Sequence, residues 1–289
     1  MLCSQDRPAV ADEVEDSRPA VMVRKRILKM APGDDEDLVG EPVGGAEGGD
    51  VELAVQPDSE FFKQNSNSRV RVGLFGGTFN PIHRGHTQVA KDVLQKYRLT
   101  SICFLPSALP PHKTRGDLAT VEDRYEMTRI ALADEPAFKV SDVEIQRSGP
   151  SYTVDTLKYF RNHGPGGPEL FFIVGLDAFL EIHTWDRFEQ LFDLAAFIVM
   201  ARPQVRKAAA SWQMSVAEFV RERINAGYKL CEKAESLIHL QKRPIYLAMV
   251  TPMPISSSGI RAMIRQGLSV RRWVDPAVAA YIEEKGLYR

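Results

Sequence analysis

The sequence predicts an α/β fold: a doubly wound, mostly parallel sheet with helices on both faces. Three observations predict it. From residue 70 onward, short runs of β-branched and apolar residues alternate with longer stretches whose apolar positions recur at helical spacing. One run, Leu170-Phe171-Phe172-Ile173-Val174, is apolar throughout, as a strand buried on both faces should be. Two of the runs end in glycine, Gly76-Gly77 and Gly175, where a backbone without side chains can turn tightly and approach a ligand. Such a Rossmann-like sheet binds its ligands at the carboxyl ends of its strands.

Before residue 70 the chain reads differently. Residues 1–68 hold 7 Lys/Arg against 15 Asp/Glu, whereas 69–289 hold 30 against 23. The first segment is also poor in large apolar side chains, so it buries too little to offset its ordering entropy and is expected to be a disordered, acidic extension. Residues 21–30 form a basic, amphipathic island within it. The moderately basic remainder suits small anionic substrates and is too weakly charged to indicate nucleic acid. Cys3, Cys103 and Cys231 are scattered and odd in number, which argues against a disulfide framework or a structural zinc site and for a reduced, cytoplasmic setting. No apolar run approaches the roughly 20 residues of a membrane span.

The elements follow in order. Residues 70–75 read as the first strand, and 84–97 as a helix with Val89, Val93 and Leu94 on one side. Residues 101–105 are a second strand, followed by a loop with Pro110, Pro111, His112 and Lys113. Thr120 is placed to cap a helix running to about Leu132, with Asp123 at the capping-box position. Residues 138–145 read as a bent extended segment, and 151–163 as a helix stopped by Gly164-Pro165-Gly166-Gly167-Pro168. After the strand at 170–174, Trp185, Phe188, Leu191 and Phe192 recur at helical spacing, and residues 196–200 form another buried strand. Residues 204–242 read as mainly polar and helical, with Trp212, Val216, Phe219, Val220 and Ile224 as a packing stripe. Residues 245–250 are a further strand, 255–266 open a helix that stops at Gly267, and 276–284 form the last one.

Two of these helix starts carry chemistry. His83 and His86, separated by Arg84-Gly85, sit where the first helix exposes unpaired amides and a partial positive charge, so both rings can donate to phosphate oxygen. Ser256, Ser257 and Ser258 begin a later helix, with Arg261 one turn in. Three serines are explained by capping alone, but hydroxyls with an arginine also make a phosphate grip. Asp177 falls on the same sheet rim, where it can cap the helix after Gly175, accept from a ligand, or do both. No Walker-type, G-x-S-x-G or H-E-x-x-H motif occurs.

Gly76-Gly77-Thr78-Phe79-Asn80-Pro81-Ile82-His83-Arg84-Gly85-His86, with Ile255-Ser256-Ser257-Ser258-Gly259-Ile260-Arg261, resembles the nucleotidyltransferase superfamily that carries an HxGH and an ISSTxxR-type motif. Within it, Pro110-Pro111-His112-Lys113, Ser151-Tyr152-Thr153-Val154-Asp155-Thr156, Gly175-Leu176-Asp177, Thr184-Trp185 and Ala201-Arg202-Pro203 resemble the bacterial nicotinate-nucleotide adenylyltransferase family. The resemblance spans about 69–289 and implies that this stretch is one nucleotidyltransferase domain, with 204–242 enlarged.

It also implies a reaction, in which ATP and nicotinate mononucleotide give deamido-NAD and pyrophosphate, with His83, His86 and Arg261 as the catalytic residues. ATP would be met by Gly76, Gly77, Thr78, Phe79, His83, His86, Lys113, Asp177, Ile255, Ser256, Ser257, Ser258 and Arg261. The mononucleotide would be met by Asn80, Lys113, Thr153, Trp185 and Asp186, with Trp185 stacking on the pyridine ring and main-chain N–H groups near Thr153 and Asp186 receiving its carboxylate. Mg²⁺ would arrive on the ATP phosphates, with no dedicated metal site in the protein. The Asp186 carboxylate would repel a substrate carboxylate unless it points away, which ranks the amide, nicotinamide mononucleotide, second as acceptor. Another phosphorylated acceptor, or a regulator that binds nucleotide without catalysis, are the remaining alternatives. Neither a nucleic acid nor a membrane is an expected partner, and a homo-oligomer stays open.

Overall fold

The computed structural model describes residues 70–108, 118–147, 150–163, 167–201, 209–251 and 253–289. The readings made for 1–68, for Pro110, Pro111, His112 and Lys113, for Arg202-Pro203 and for part of the 164–168 stop lie outside the described residues.

Among the described residues one eight-stranded sheet runs in the order β3-β2-β1-β4-β5-β8-β7-β6. Its parallel part comprises β1 (Arg71–Gly77), β2 (Ser101–Pro106), β3 (Phe138–Val140), β4 (Glu169–Gly175), β5 (Ala196–Ala201) and β8 (Ile245–Met249). The strand order reverses between β1 and β4, so a crevice opens beyond their carboxyl ends, where Gly77 and Gly175 lie.

The helices α1 (Arg84–Lys96), α2 (Val121–Ala131), α3 (Thr153–His163), α4 (Leu176–Leu180), α5 (Phe188–Leu194), α6 (Ala209–Arg223), α7 (Ser257–Arg265) and α8 (Pro276–Lys285) divide between the two faces. Successive strand residues point to opposite sides, and the core splits accordingly. Val72, Leu74, Leu170 and Phe172 pack with Leu157 of α3, Leu191 and Phe192 of α5 and Val216 of α6. Phe75, Phe104, Phe171 and Ile173 pack on the other side with Ala90 and Val93 of α1, Met127 of α2, Ile260 of α7 and Val278 of α8. This is the doubly wound sheet that the alternation of runs predicts.

Three elements differ from the sequence reading. The helical reading of 204–242 misses a hairpin: within the described 209–242, α6 is followed by antiparallel β6 (Lys229–Cys231) and β7 (Ser236–Ile238), which extend the sheet beyond β8. Strands of three residues are too short to display a period of two, and lysines and glutamates surround them. The apolar stripe is nonetheless packing surface, with Trp212, Val216 and Val220 buried. The extended segment expected at 138–145 is a strand only at Phe138–Val140; beyond it Ile145 N–H donates to Asp142 O in a turn. Asp177 does not cap α4. Gly175 stands at that position, and Asp177 is an exposed residue of the first turn. Thr120 caps α2 as expected, accepting from Asp123 N–H at 3.1 Å, and its hydroxyl donates to the Asp123 carboxylate at 2.8 Å.

Candidate active site

The loop from β1 to α1 is held by its carbonyl groups. Gly77 O accepts from Ser107 N–H at 2.9 Å and from the Ser107 hydroxyl at 3.1 Å. Thr78 O accepts from Arg124 Nη1 at 2.9 Å, Asn80 O from Arg261 Nη1 at 3.0 Å, and Pro81 O from Ser257 Oγ at 2.9 Å. A loop whose carbonyls are drawn back into the protein no longer presents them to an anion, and its amides are what is left to meet one.

Within the loop, Phe79 adopts φ 47°, the left-handed region that disfavours an aromatic residue. Its ring folds back so that a Cβ on Gly77 would meet it at 2.7 Å, which is why glycine stands there. The buried ring lies edge-on to Phe75, with centroids 5.7 Å apart, and to His86, with centroids 5.1 Å apart. The Phe79 ring thus supports a histidine from inside the fold.

His83 precedes α1 as its cap residue, and its ring stacks on that of His86 with centroids 3.7 Å apart. A Cβ on Gly85 would stand 3.0 Å from the His83 ring, so the glycine between the histidines makes room for the stack. His83 N–H donates to His86 Nδ1 at 3.2 Å. A ring nitrogen that accepts cannot carry the proton, so neutral His86 bears it on Nε2.

Both imidazoles line a cavity of about 810 Å³, together with Gly85, Gly175, Ile255, Ser256 and Gly259, and with Met200, Val250, Met263 and Trp273 as apolar wall. Ser256 caps α7, accepting from Gly259 N–H at 3.1 Å, and its hydroxyl lies 3.1 Å from that of exposed Ser258. The cavity is thus flanked by two helix N-termini and lined by imidazole and hydroxyl groups, with no carboxylate among the described residues of its wall.

Several expected site residues bond the loop. Ser257 gives its hydroxyl proton to Pro81 O, and Arg261, 9 % exposed, gives Nη1 to Asn80 O while its Nε makes no hydrogen bond. Neither lines the cavity. Asn80, expected at the mononucleotide, is 1 % exposed, and its Oδ1 accepts from Ala119 N–H at 3.1 Å and from Tyr288 Oη at 2.8 Å. It is a joint beneath the site. Gly76 and Thr78 are half-buried in the loop, and Asp177 lies two residues beyond the cavity-lining Gly175.

A second cluster gathers Thr153, Trp185 and Asp186, none of which lines the cavity. Thr153 is the first residue of α3, and Trp185 leaves a short 3₁₀ turn with its ring edge-on to Phe172, centroids 6.1 Å apart. Trp185 precedes α5 rather than joining the helical stripe that its spacing suggested. Arg187 ties the cluster together: it pairs with Asp186 at 2.5 Å and with Asp155 in the first turn of α3 at 2.8 Å, and its guanidinium lies 5.9 Å from the Tyr152 ring centroid. These two carboxylates hold the Arg187 guanidinium above its ordinary range.

Sequence reasoning missed Arg124, Arg187 and Tyr288. Arg124 is 1 % exposed and donates to three carbonyls, of Thr78, Ala108 and Ala119; burial lowers its pKa from the ordinary value. A charged residue three and four positions before Met127 and Thr128, on the buried side of α2, was the available signal. Arg187 stood beside Asp186 as a visible counter-charge. Tyr288 left no signal in the sequence.

Among known proteins, the Cytidylyltransferase-like family matches residues 74–263. A relative from Desulfatibacillum aliphaticivorans, named "Probable nicotinate-nucleotide adenylyltransferase", is 41% identical over 222 residues, which cover 76% of this chain and 100% of the relative. Relatives of the same name from Geobacter metallireducens and Saccharopolyspora erythraea are 40% and 39% identical over 76% of this chain and cover 98% and 91% of their own lengths. The solved structure of a Plasmodium falciparum nicotinic acid mononucleotide adenylyltransferase complexed with NaAD superimposes with TM-score 0.56 at 20% identity, covering 76% of this chain and 97% of that one, and supports the fold.

Proposed function

The chain belongs to the cytidylyltransferase-like family and, within it, to the nicotinate-nucleotide adenylyltransferases, and from that membership we propose that it transfers the AMP moiety of ATP to nicotinate mononucleotide, giving deamido-NAD and pyrophosphate. The observation that carries the chemistry is the stacked His83–His86 pair at the start of α1, with His86 Nδ1 accepting from the backbone, beside a cavity whose described lining residues include no carboxylate.

A 5′-phosphate is largely ionised near neutrality, since its second pKa is about 6, so the acceptor needs no general base. Its oxygen attacks the α-phosphorus in line, the bond from that phosphorus to the bridging oxygen breaks, and pyrophosphate departs with the electron pair. What the protein must supply is alignment and donors to the charge that builds on the α-phosphoryl oxygens and the leaving group. His86 Nε2–H is one such donor, His83 its neighbour, and the N-terminus of α1 adds its partial positive charge. Ser256 and Ser258 at α7 suit the β- and γ-phosphates, Lys113 reinforces them, and Asp177 accepts from ribose hydroxyls.

Mg²⁺ would be carried in by the nucleotide. Among the described residues that line the cavity the side-chain oxygens are the hydroxyls of Thr251 and Ser256, with no carboxylate of the kind that usually anchors Mg²⁺ beside its phosphates. Bound to the phosphates, it would neutralise part of their charge.

Trp185 would stack on the pyridine ring, and the main-chain amides near Thr153 and Asp186 would receive the carboxylate. The Asp186 charge that argued for the amide is paired with Arg187, which favours the acid. A coupled pyrophosphate-release assay with ATP and each mononucleotide tests the reading: the acid should show the higher kcat/KM, and equal or better turnover of nicotinamide mononucleotide would reject it.

A further inference from the structure

We propose that Tyr288, the penultimate residue, is a positioning residue for the β1–α1 loop, acting through Asn80; the proposal rests on the functional reading above for the identity of the reaction. An amide oxygen offers two lone pairs, and those of Asn80 Oδ1 are taken by Ala119 N–H and Tyr288 Oη. Ala119 belongs to the lead-in to α2 and Tyr288 to the C-terminus, so the orientation of this buried side chain is set by two segments remote from it in sequence. The same residue offers its backbone carbonyl to Arg261. The residue before it, Phe79, is the one whose ring lies edge-on to His86. A shift at Asn80 therefore reaches both the arginine and the histidine.

The chain is bent to deliver Tyr288 to this place. α8 ends at Gly286 with φ 62°, Leu287 N–H returns to Ile282 O at 3.1 Å, and Tyr288 itself takes φ 66°. A tyrosine in the left-handed region persists only where its contacts over-determine it. Here the half-buried ring packs against the core face shared by α1, α2, α7 and α8. Burial pushes the phenol above its ordinary range, more strongly than nearby Arg261 and Arg124 pull it down, so the hydroxyl remains a donor.

Tyr281 supplies the control. It lies on α8, before the turn at Gly286, and donates its hydroxyl to Asp123 Oδ1 of α2 at 2.9 Å, a bond of the same kind that makes no direct contact with the β1–α1 loop. The full chain, Tyr288→Phe, a chain ending at Leu287 and Tyr281→Phe are compared by thermal unfolding, by the Kd of α,β-methylene-ATP and by kcat with ATP and nicotinate mononucleotide. Loss of one buried hydrogen bond that orients the loop should weaken the Kd or lower kcat by about fivefold to tenfold in Tyr288→Phe, and by more in the shortened chain. Tyr281→Phe should stay within twofold of the parent in both.

Parent-like values in both Tyr288 variants, or equal impairment in Tyr281→Phe, would overturn the proposal. So would failure of both Tyr288 variants to fold, which would make this a folding contact. If the parent binds the analogue but does not turn over nicotinate mononucleotide, the functional reading falls and the Kd comparison alone decides the role of Tyr288.

Discussion

Neutral His86 has a single ring N–H, and the backbone of His83 decides where that proton sits. With Nδ1 accepting, the neutral ring is suited to the proposed donor role and not to that of a base at Nε2. His86→Ala should lower kcat by about 10²- to 10³-fold, the usual cost of removing one preorganised donor to developing oxyanion charge, with a much smaller change in the KM for ATP. Pyrophosphate release measured against both substrates checks this; an unimpaired variant removes His86 from the mechanism. At the second cluster, Arg187→Ala leaves Asp155 and Asp186 without their counter-charge. The acid-to-amide ratio of kcat/KM should then fall about threefold to tenfold, since exposed ion pairs contribute modestly. The histidines were legible from the sequence because their geometry is local, four residues at the start of one helix. Asn80 and Arg261 were legible as loop and helix residues, but their hydrogen bonds to Tyr288 and to the loop backbone were not, because a partner from a remote segment is created only by the tertiary fold.

The start of α3 rests on Glu144. Its Oε1 accepts from Thr156 Oγ1 at 3.0 Å, and Arg147 donates to the same hydroxyl at 2.9 Å. Burial pushes the Glu144 carboxyl up to about 6, against the smaller lowering by that hydrogen bond and by Arg147. The sign follows from linkage. A carboxyl whose folded pKa exceeds its unfolded one binds its proton more tightly in the native state, so stability declines as pH rises from about 4.5 to about 6 and levels off above. A shift of that size corresponds to about 2 kcal/mol. Glu144→Gln, which keeps an acceptor for Thr156, should remove this decline, and urea unfolding midpoints between pH 4.5 and 7 would show it; an unchanged slope would assign it to another group. Elements with strong periodicity, such as α1 and β4, were readable from composition alone. The β6–β7 hairpin was not, since its pairing depends on β8 and not on any pattern within its short strands.

At the scale of the molecule, every described element lies within residues 70–289. Removal of residues 1–68 should leave kcat unchanged within twofold and the thermal midpoint within a few degrees, as checked by turnover and melting of the shortened chain, because an acidic segment poor in large apolar side chains has little to contribute to a core. Among the described residues no helix is long and apolar enough to cross a membrane. The two sides of the sheet also divide the labour of the site. α1 and α7, beside the cavity with the histidines, pack on one core face; α3, α5 and Trp185, which carry the second cluster, pack on the other. Substitutions on opposite faces share few neighbours, so their energetic effects should add in double-mutant cycles. On the proposed assignment, acceptor choice is then free to change by substitution on one face of the sheet while the face that would hold the nucleotide keeps its packing.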